Sequence, residues 1–237
     1  MSRLALQLTC YNGSRYLPYL FASLKRQTYT DWQLYVLDNG SDLPEAQAIA
    51  QAAQEAGFPI TFERIEETRN FASGHNVLLT KHNAELIQVL NDDAFLEPTY
   101  LEEVVRYMEA HPECGAASGR IFRWDFDRRD ESDQGKTLVI DAFGLEQLPS
   151  GKVQERFRGR SADAFQMKHQ DEEVFGVSGC LPLYRRAAVV PTSPDKTLFD
   201  PSFISYKEDV EVAYRLKKAG YSSALVWNAV AYHRRSF

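Results

Sequence analysis

The chain has 237 residues, of which 44% are hydrophobic and 25% are charged. These proportions match ordinary globular proteins, so a collagen-like, low-complexity or wholly disordered chain is excluded. The formal net charge of −6 at pH 7 argues against broad binding of nucleic acid, because such binding requires a basic surface.

Short apolar strands alternate with amphipathic helices in the first half of the chain. Strand patterns cover residues 4–9, 32–37, 60–65 and 86–90. Helices are predicted over residues 17–24, 46–53 and 74–81, and from Pro98 to His111. This alternation predicts a mostly parallel sheet with helices on both faces, and ligands then bind beyond the carboxyl ends of the strands.

The second half of the chain has a different pattern. A strand over 115–122 precedes a densely charged segment, 123–134, which predicts an exposed loop. Segments 138–143 and 154–157 flank the turn Pro149-Ser150-Gly151, and this arrangement predicts a β-hairpin. The remaining predicted elements are a helix over 208–219 and short strands over 223–227 and 230–232.

Cysteine usage and apolar segments bear on the compartment. Cys10, Cys114 and Cys180 are widely separated and odd in number, which predicts free thiols in a reducing cytosol. The N-terminal apolar stretch is too short for a signal peptide, and no segment approaches the roughly 20 apolar residues that span a bilayer. We expect a cytoplasmic protein, and the sequence leaves peripheral contact with the inner face of the cell membrane open.

The motif Leu90-Asn91-Asp92-Asp93, at the end of a buried strand, is the strongest local signal for chemistry. Adjacent carboxylates repel each other and lose hydration on burial, so a cation would stabilise them. A magnesium or manganese ion held by carboxylates and substrate phosphates is one interpretation. The alternative is a turn that caps the helix beginning near Pro98.

Two further acidic motifs follow predicted strands or begin helices. In Asp38-Asn39-Gly40-Ser41-Asp42 the first aspartate can accept hydrogen bonds from a nucleobase or a ribose, although a tight turn with a helix cap explains the motif equally. In Tyr206-Lys207-Glu208-Asp209 a carboxylate can act as a general base or simply stabilise the helix dipole. Neither GxGxxG nor GxxxxGK[ST] occurs, which disfavours dinucleotide and P-loop binding.

Taken in order, the motifs resemble those of family-2 glycosyltransferases with the GT-A fold. The resemblance spans almost the whole chain, and within the family it is greatest to bacterial rhamnosyltransferase-type enzymes. Its motifs are Thr9-Cys10-Tyr11-Asn12, Gln27-Thr28-Tyr29, Asp38-Asn39-Gly40-Ser41, the run from Arg69 to Asn76, the relaxed D-x-D of Asn91-Asp92-Asp93, the run from Gly176 to Cys180 with Arg185-Arg186, the run from Phe199 to Phe203, Tyr206-Lys207-Glu208-Asp209 and the late His233.

The resemblance implies a fold and a reaction. The fold is α/β, with a Rossmann-like, mostly parallel central sheet, helices on both faces and a smaller acceptor-side β-hairpin region. A single domain, 1–237, would comprise a nucleotide-sugar-binding half (1–114) and an acceptor-binding and catalytic half (115–237). The reaction would be inverting transfer from a TDP- or UDP-linked sugar to a hydroxyl of a glycan or lipid-linked saccharide, in bacterial surface polysaccharide synthesis.

The resemblance also implies residue roles. Asp209 would be the catalytic base with Glu208 as its alternative, and Asp93 with His233 would bind Mn2+ or Mg2+. The residues implied in binding the nucleotide sugar are Thr9, Tyr11, Asn12, Asp38, Arg69, Asn76, Asn91, Asp92, Ser178, Gly179 and Arg185. The charged segment 123–135 and the polar segment 159–173 are expected to border the acceptor cleft and to become ordered when substrate binds.

Two other functions stay open at the level of sequence. A sugar-phosphate nucleotidyltransferase would share the sheet and the divalent ion, but it is expected to have a glycine-rich, arginine-containing loop where this chain has Thr9-Cys10-Tyr11-Asn12-Gly13. A non-catalytic nucleotide-sugar-binding module would retain the fold without needing the catalytic carboxylates.

Overall fold

In the computed structural model, which describes residues 2–164, 168–204 and 206–235, four parallel strands open the chain. They are β1 (Leu4–Cys10), β2 (Trp32–Asn39), β3 (Ile60–Ile65) and β4 (Leu86–Leu90). β1 and β4 are mostly apolar and are buried at almost every position, because both faces of the sheet are covered here. The four predicted strands are confirmed, with ends that differ by two residues at most.

Four helices connect and cover these strands. They are α1 (Leu17–Lys25), α2 (Leu43–Glu55), α3 (Phe71–Leu79) and α4 (Tyr100–Ala110). The helix α3 begins three residues before its predicted start, because the Asn70 side chain accepts a hydrogen bond from the Ser73 N–H at 2.8 Å and caps it. The apolar spacing of α1 is confirmed, since it buries Leu17, Leu20 and Leu24 together.

The rest of the chain extends the same sheet and adds a separate two-stranded one. Its strands are β5 (Ala94–Leu96), β6 (Cys114–Trp124), β7 (Lys136–Ala142), β8 (Leu145–Gln147), β9 (Val153–Glu155), β10 (Glu172–Val174), β11 (Leu183–Arg185) and β12 (Ser222–His233). Its helices are α5 (Arg186–Thr192) and α6 (Glu208–Lys218). The sheet runs β10-β12-β6-β11-β4-β1-β2-β3, with β5 paired to β12 and β7 paired to β6. The long strand β12 therefore brings the end of the chain beside the residues that follow β4.

The predicted hairpin is half right. The turn at Pro149-Ser150-Gly151 exists, but β9 pairs with β8 and not with the segment 138–143. That segment forms β7 and pairs with β6. Gly144 lies between β7 and β8 with a φ of +78°, and a Cβ there would lie 2.9 Å from a Val174 methyl carbon. Only glycine allows the chain to leave β7 and begin β8 so abruptly.

Two more predictions need correction. The short strands predicted over 223–227 and 230–232 are one strand, β12, whose register against β6 shifts between Val226 and Val230. The charged segment 123–134 is not exposed throughout, since Trp124 and Phe126 are buried and pack against Tyr16 and Tyr19. The two aromatic side chains anchor the loop, while the charged side chains around them lie largely toward solvent. The elements β5 and α5 were not predicted. The strand β5 has only 3 residues, and the helix α5 has only 7 and contains Pro191, so neither shows enough periodicity.

No helix in the described part of the chain combines the length and apolarity needed to cross a membrane.

Buried histidines behind β1 predict a specific sensitivity to acid. Burial lowers the pKa of His75 to about 3, and burial together with the charge of Arg186 lowers that of His82 to about 4. Both are therefore neutral when folded at pH 5, whereas an unfolded histidine is mostly protonated there. Their contribution to stability is complete above about pH 6.5 and is lost as the pH falls, by about 1.4 kcal/mol per pH unit for each histidine.

We therefore expect the change in the free energy of unfolding from pH 7 to pH 5 to be less favourable in the wild-type chain than in His75→Gln. Carboxyl groups with a raised pKa, such as Asp92 at about 7, act in the opposite direction but are present in both proteins. Urea unfolding at the two pH values measures both slopes. Each protein is compared with itself at the two pH values, so a lower absolute stability of His75→Gln does not affect the comparison. Equal slopes for the two proteins would contradict the assignment of a neutral, buried His75.

Candidate active site

The carboxyl ends of β1, β2 and β4 meet at one edge of the sheet. Cys10 lies opposite Asp38 in the register of β1 and β2, and its thiol donates a hydrogen bond to the Asp92 carboxylate at 3.2 Å. The loops after β1 and β2 are also joined, because the Asn12 N–H donates to the Ser41 hydroxyl at 2.9 Å. The structure therefore brings together the strand-end motifs that the sequence singled out.

Asp92 lies in a tight, partly enclosed position beside the first loop. Burial, reinforced by the neighbouring charge of Asp93, raises the pKa of Asp92 to about 7. A Cβ on Gly13 would lie 1.8 Å from the Asp92 Oδ2 atom. Glycine is thus required at position 13 for this carboxylate to keep its place.

A buried row of polar contacts joins Asp93 to His233, at the end of β12, and His233 to Asp141. The His233 Nε2 atom lies 3.1 Å from the Asp93 Oδ1 atom, and the His233 Nδ1 atom lies 2.8 Å from Asp141 Oδ2. Burial opposes the charged form of His233, but the two carboxylates outweigh it and raise the His233 pKa to about 10. Burial likewise opposes ionisation of Asp93 and Asp141, and the histidine charge lowers both pKa values despite it.

The sequence reasoning did not assign a role to Asp141, Glu155 or Arg235. The Arg235 guanidinium donates to Asp141 Oδ1 at 3.1 Å and to both oxygens of Glu155 at 2.9 and 3.0 Å. Glu155 in turn accepts a hydrogen bond from the Ser178 hydroxyl at 3.2 Å. One signal was available for Asp141, which is an acid within the apolar run Val139-Ile140-Asp141-Ala142-Phe143 and is 1% exposed.

Asp209 is held at the start of α6 by two backbone donors. Its Oδ2 atom accepts from the Gly179 N–H at 3.0 Å, and its Oδ1 atom accepts from the Val210 N–H at 2.8 Å. Burial raises the pKa of Asp209 despite these hydrogen bonds, and it also raises that of the buried Glu208. A raised pKa makes a carboxylate a stronger base, which suits removal of a proton from a substrate.

Two adjoining cavities open onto these carboxylates. The smaller, of about 350 Å³, is lined by Phe71, Asn91, Asp92, Asp93, Ser178, Gly179, Cys180, Tyr206, Glu208, His233 and Arg235. The larger, of about 930 Å³, has Asp209 in its wall and shares Tyr206 and Arg235 with the smaller one. Gly179 lines the smaller cavity and binds Asp209 through its N–H. The metal-binding and base candidates therefore face adjacent parts of one cleft.

Four of the remaining predicted residues lie at or beyond the ends of β1, β2 and β3. Tyr11 is 53% exposed beyond β1, and Arg69 is exposed, with its backbone held by the Asn39 side chain. The hydroxyl of Thr9 lies 3.2 Å from the His75 ring. Asp38 is fully buried and forms an ion pair with Arg64, a partner that the sequence analysis did not name.

Two predicted residues make contacts that hold the fold together. The Asn76 side chain donates to the Phe199 carbonyl at 2.8 Å and accepts from the N–H groups of Leu198 and Phe199. The Arg185 guanidinium donates to the backbone carbonyls of Met108, His111 and Cys114. Arg185 pairs with Leu86 at the first residue of β4, so it lies at the opposite end of that strand from Asp93. The structure does not bring Arg185 to the cleft.

The family model of glycosyl transferase family 2 matches residues 7–190. The chain belongs to glycosyl transferase family 2. A Haemophilus influenzae protein named as an uncharacterized glycosyltransferase is 26% identical to this family-2 chain over 211 residues, which make up 89% of this chain and 67% of that protein.

Solved glycosyltransferases share the fold of this family-2 chain. A mannosyltransferase from Pyrobaculum calidifontis, solved in complex with GDP-Man and Mn2+, gives a TM-score of 0.67 at 16% identity over 98% of this chain and 56% of its own. GalNAc-T7 with UDP, GalNAc and Mn2+ gives 0.73 at 11% identity, over 98% and 44%. S. aureus TarS 1-349 in complex with UDP-GlcNAc gives 0.66 at 14%, over 99% and 60%.

These similarities confirm the fold class that the sequence predicted. The structure is α/β, with a curled, mostly parallel central sheet, helices around it and the small β8–β9 hairpin, and its neighbours have the GT-A fold. The chain spans about half the length of these solved proteins, which are 56%, 44% and 60% covered. At such low identities the likeness shows the fold alone.

Proposed function

We propose that this protein is an inverting glycosyltransferase that transfers a sugar from a nucleotide-diphosphate sugar to a hydroxyl group of an acceptor saccharide. One observation carries the proposal. Asp93 with His233, on one side, and Asp209, on the other, line two cavities that share Tyr206 and Arg235. A donor sugar between them would have a metal-binding group at its diphosphate and a base at its far face.

The residues present fit a divalent cation. In an octahedral site with ligands at about 2.1 Å, two adjacent ligand atoms lie about 3 Å apart. His233 Nε2 and Asp93 Oδ1 lie 3.1 Å apart, and both residues line the smaller cavity. An ion bound there would take the place of the proton that His233 shares with Asp93. Asp141 holds the other ring nitrogen of His233, as carboxylates commonly do behind a metal-binding histidine. Mn2+ or Mg2+ bound there would neutralise charge on the departing diphosphate.

A second set of potential ligands lies deeper. Among the described residues, Asp141, Cys180 and His233 offer ligand atoms within 4.8 Å of one another. Asp141, which contacts the Nδ1 atom of His233, does not line the smaller cavity. We favour Asp93 and His233, because substrate phosphates must reach the ion.

The nucleotide is proposed to bind beyond the ends of β1, β2 and β4. There Tyr11 offers an exposed aromatic face and Arg69 an exposed guanidinium. Thr9 is proposed to bind the base and Asp92 the ribose, with Asn12, Asn91, Ser178 and Gly179 around the sugar and phosphates. Asp38 is fully buried, so its proposed contribution to the base site is to hold Arg64 and the Ser41 N–H at this edge of the sheet. The complexes of the solved neighbours contain GDP-Man, UDP or UDP-GlcNAc, which supports a nucleotide-sugar donor here.

Asp209 is proposed to act as the catalytic base. Its carboxylate takes the proton of the acceptor hydroxyl while that oxygen forms a bond to the anomeric carbon of the donor. The bond from that carbon to the diphosphate oxygen breaks at the same time, and the nucleoside diphosphate leaves with the bonding electrons. Attack opposite the leaving group inverts the configuration at the anomeric carbon.

The proposed donor, acceptor and biological role rest on sequence resemblance. The motifs most resemble rhamnosyltransferase-type enzymes, so we propose a TDP- or UDP-linked donor, a glycan or lipid-linked acceptor and a role in surface polysaccharide synthesis. Such an enzyme would work in the cytoplasm, at the inner face of the membrane where lipid-linked acceptors are found.

Gly13→Ala tests the place of Asp92 in this proposal. The added methyl carbon would overlap the Asp92 carboxylate, so that carboxylate or the loop must move. We expect the affinity for a nucleoside diphosphate to fall about tenfold or more, measured by isothermal titration. Ser14→Ala, a neighbouring change whose hydroxyl has no hydrogen bond among the described residues, is the matched control. Unchanged affinity in Gly13→Ala would show that Asp92 does not contact the ligand.

A thermal-shift screen of nucleoside diphosphates with Mn2+ or Mg2+ tests the proposed function most simply. We expect stabilisation by one nucleotide in the presence of metal, and release of that nucleoside diphosphate from its sugar conjugate when acceptor is added. A TDP response would support the rhamnosyl assignment, and a UDP response a hexose or hexosamine donor. Pyrophosphate release from a nucleoside triphosphate and a sugar phosphate would instead indicate a nucleotidyltransferase, and no response of either kind a non-catalytic module.

A further inference from the structure

The larger cavity carries positive charge in an acidic protein. Five basic side chains line it, together with three acidic ones: Lys152, Arg158, Arg160, Lys207 and Arg235 against Glu146, Glu155 and Asp209. The whole chain has a net charge of −6, so this excess of cations is local. Positive charge gathered around a concave surface raises the local concentration of anions.

Acidic side chains bind some of these cations, and Arg235 is held by Asp141 behind the wall as well as by Glu155. Glu155 is shared by Arg235, which binds both of its oxygens, and by Arg158 at 3.3 Å. Lys152 is exposed at the end of the β8–β9 turn, and no ion pair or side-chain hydrogen bond engages its amine among the described residues. The charge of Lys207 acts on Asp209, whose pKa it lowers against the larger effect of burial.

Apart from Arg235, which lines both cavities, these cations lie away from the proposed nucleotide site. None of the residues assigned to the base, ribose and phosphates lines the larger cavity. The larger cavity is instead bounded by the β8–β9 hairpin, the segment after β9 and the start of α6. Its positive charge therefore adjoins the side of Asp209 from which an acceptor must approach, and not the diphosphate of the donor.

We propose that the acceptor carries a negatively charged group, a phosphate or a carboxylate, which binds Lys152 and its basic neighbours and so presents the reacting hydroxyl to Asp209. This inference rests on the proposed function, because it identifies the substrate class of the same cleft. The anion fixes one end of the acceptor, which helps orientation of the attacking oxygen. The anionic group can belong to the saccharide itself or to a diphosphate that joins it to a lipid.

Binding of small probes tests the inference directly. Glucose, glucuronate, glucose 6-phosphate and a short isoprenyl diphosphate are titrated against the protein with nucleoside diphosphate and Mn2+ present, at low and at high salt. We expect every anionic probe that binds to bind more tightly than glucose. This difference in affinity should shrink at high salt, because salt screens the attraction between charges. Preference for the sugar anions places the charge on the saccharide, and preference for the isoprenyl diphosphate places it on a lipid linkage.

A charge-reversal pair makes the test specific to the cavity. Lys152→Glu is expected to reduce the preference for anions about five- to tenfold, while Lys25→Glu, an exposed lysine outside the cavity, leaves it unchanged. Equal binding of neutral and anionic probes, or a preference that survives Lys152→Glu, would overturn the inference.

The nucleotide response separates this outcome from failure of the proposed function. Thermal stabilisation by nucleoside diphosphate and Mn2+ is measured on the same three proteins, and we expect Lys152→Glu to retain it. Stabilisation by nucleotide without any preference for anions would leave the glycosyltransferase proposal standing and reject the anionic acceptor. A preference for anions without a nucleotide response would reject the donor site.

Discussion

Replacing Asp209 by asparagine is expected to lower the rate of sugar transfer by about 10²- to 10⁴-fold while leaving donor-nucleotide affinity nearly unchanged. The amide keeps the shape of the side chain, and its oxygen can still accept the Gly179 N–H, which donates at 3.0 Å in the native protein. It cannot accept the proton of the acceptor hydroxyl. Steady-state rates of nucleoside diphosphate release, together with titration of the nucleotide, measure the two quantities.

Glu208→Gln is the matched control for the base. Glu208 is the adjacent buried carboxyl and lines the smaller cavity, whereas Asp209 lines the larger one. The account predicts a much smaller effect of Glu208→Gln on turnover. The opposite ranking of the two variants would assign the base to Glu208, and parental rates in both would remove the general base from this helix altogether.

Replacing Asp93 by alanine is expected to abolish the metal-dependent part of nucleoside diphosphate binding, a loss of about 100-fold or more in affinity when Mn2+ is present. Without metal, Asp93→Ala and the wild-type chain should bind the nucleotide equally weakly. The Mn2+ affinity itself is measured by electron paramagnetic resonance of the free ion, which gives a result that does not depend on activity. Equal nucleotide affinity of the wild-type chain with and without metal would contradict the proposed site.

Cys180→Ser distinguishes the two sets of potential ligands. The deeper set needs the Cys180 thiol, whereas the set of Asp93 and His233 does not. Serine has nearly the same volume, so the packing of this buried position is largely kept. We expect Mn2+ affinity to be preserved in Cys180→Ser and lost in Asp93→Ala. The reverse result would move the ion to the side of His233 that faces Asp141.

Much of the fold was predictable because its first half follows a local rule. Short apolar runs mark the buried strands, and apolar residues with a period of 3.6 mark the helices between them. A single sequence displays both patterns. The carboxyl ends of parallel strands then share one edge, so the grouping of Tyr11, Asp38 and Asp92 followed from topology alone. The second half pairs strands that are distant along the chain, and there the boundaries were less accurate.

The buried partners of the site could not be predicted, because they depend on contacts far apart in sequence. Asp141 reaches His233 across 92 positions, and Glu155 reaches Arg235 across 80. The backbone before α6 is a similar case, since Tyr206 and Lys207 both have positive φ, at 65° and 79°. Neither residue type favours that region, so only the surrounding structure can impose it beside Asp209. Arg185 shows the converse, a motif residue whose contacts are with backbone carbonyls far from the cleft.

A crystal structure of the protein with Mn2+ and the nucleotide sugar selected by the thermal-shift screen tests the central claim most directly. The account predicts anomalous scattering from the ion between Asp93 and His233, and the anomeric carbon of the sugar between that ion and the Asp209 carboxylate. A donor bound in the cleft with its sugar directed away from Asp209, or an ion bound without contact to Asp93, would contradict it.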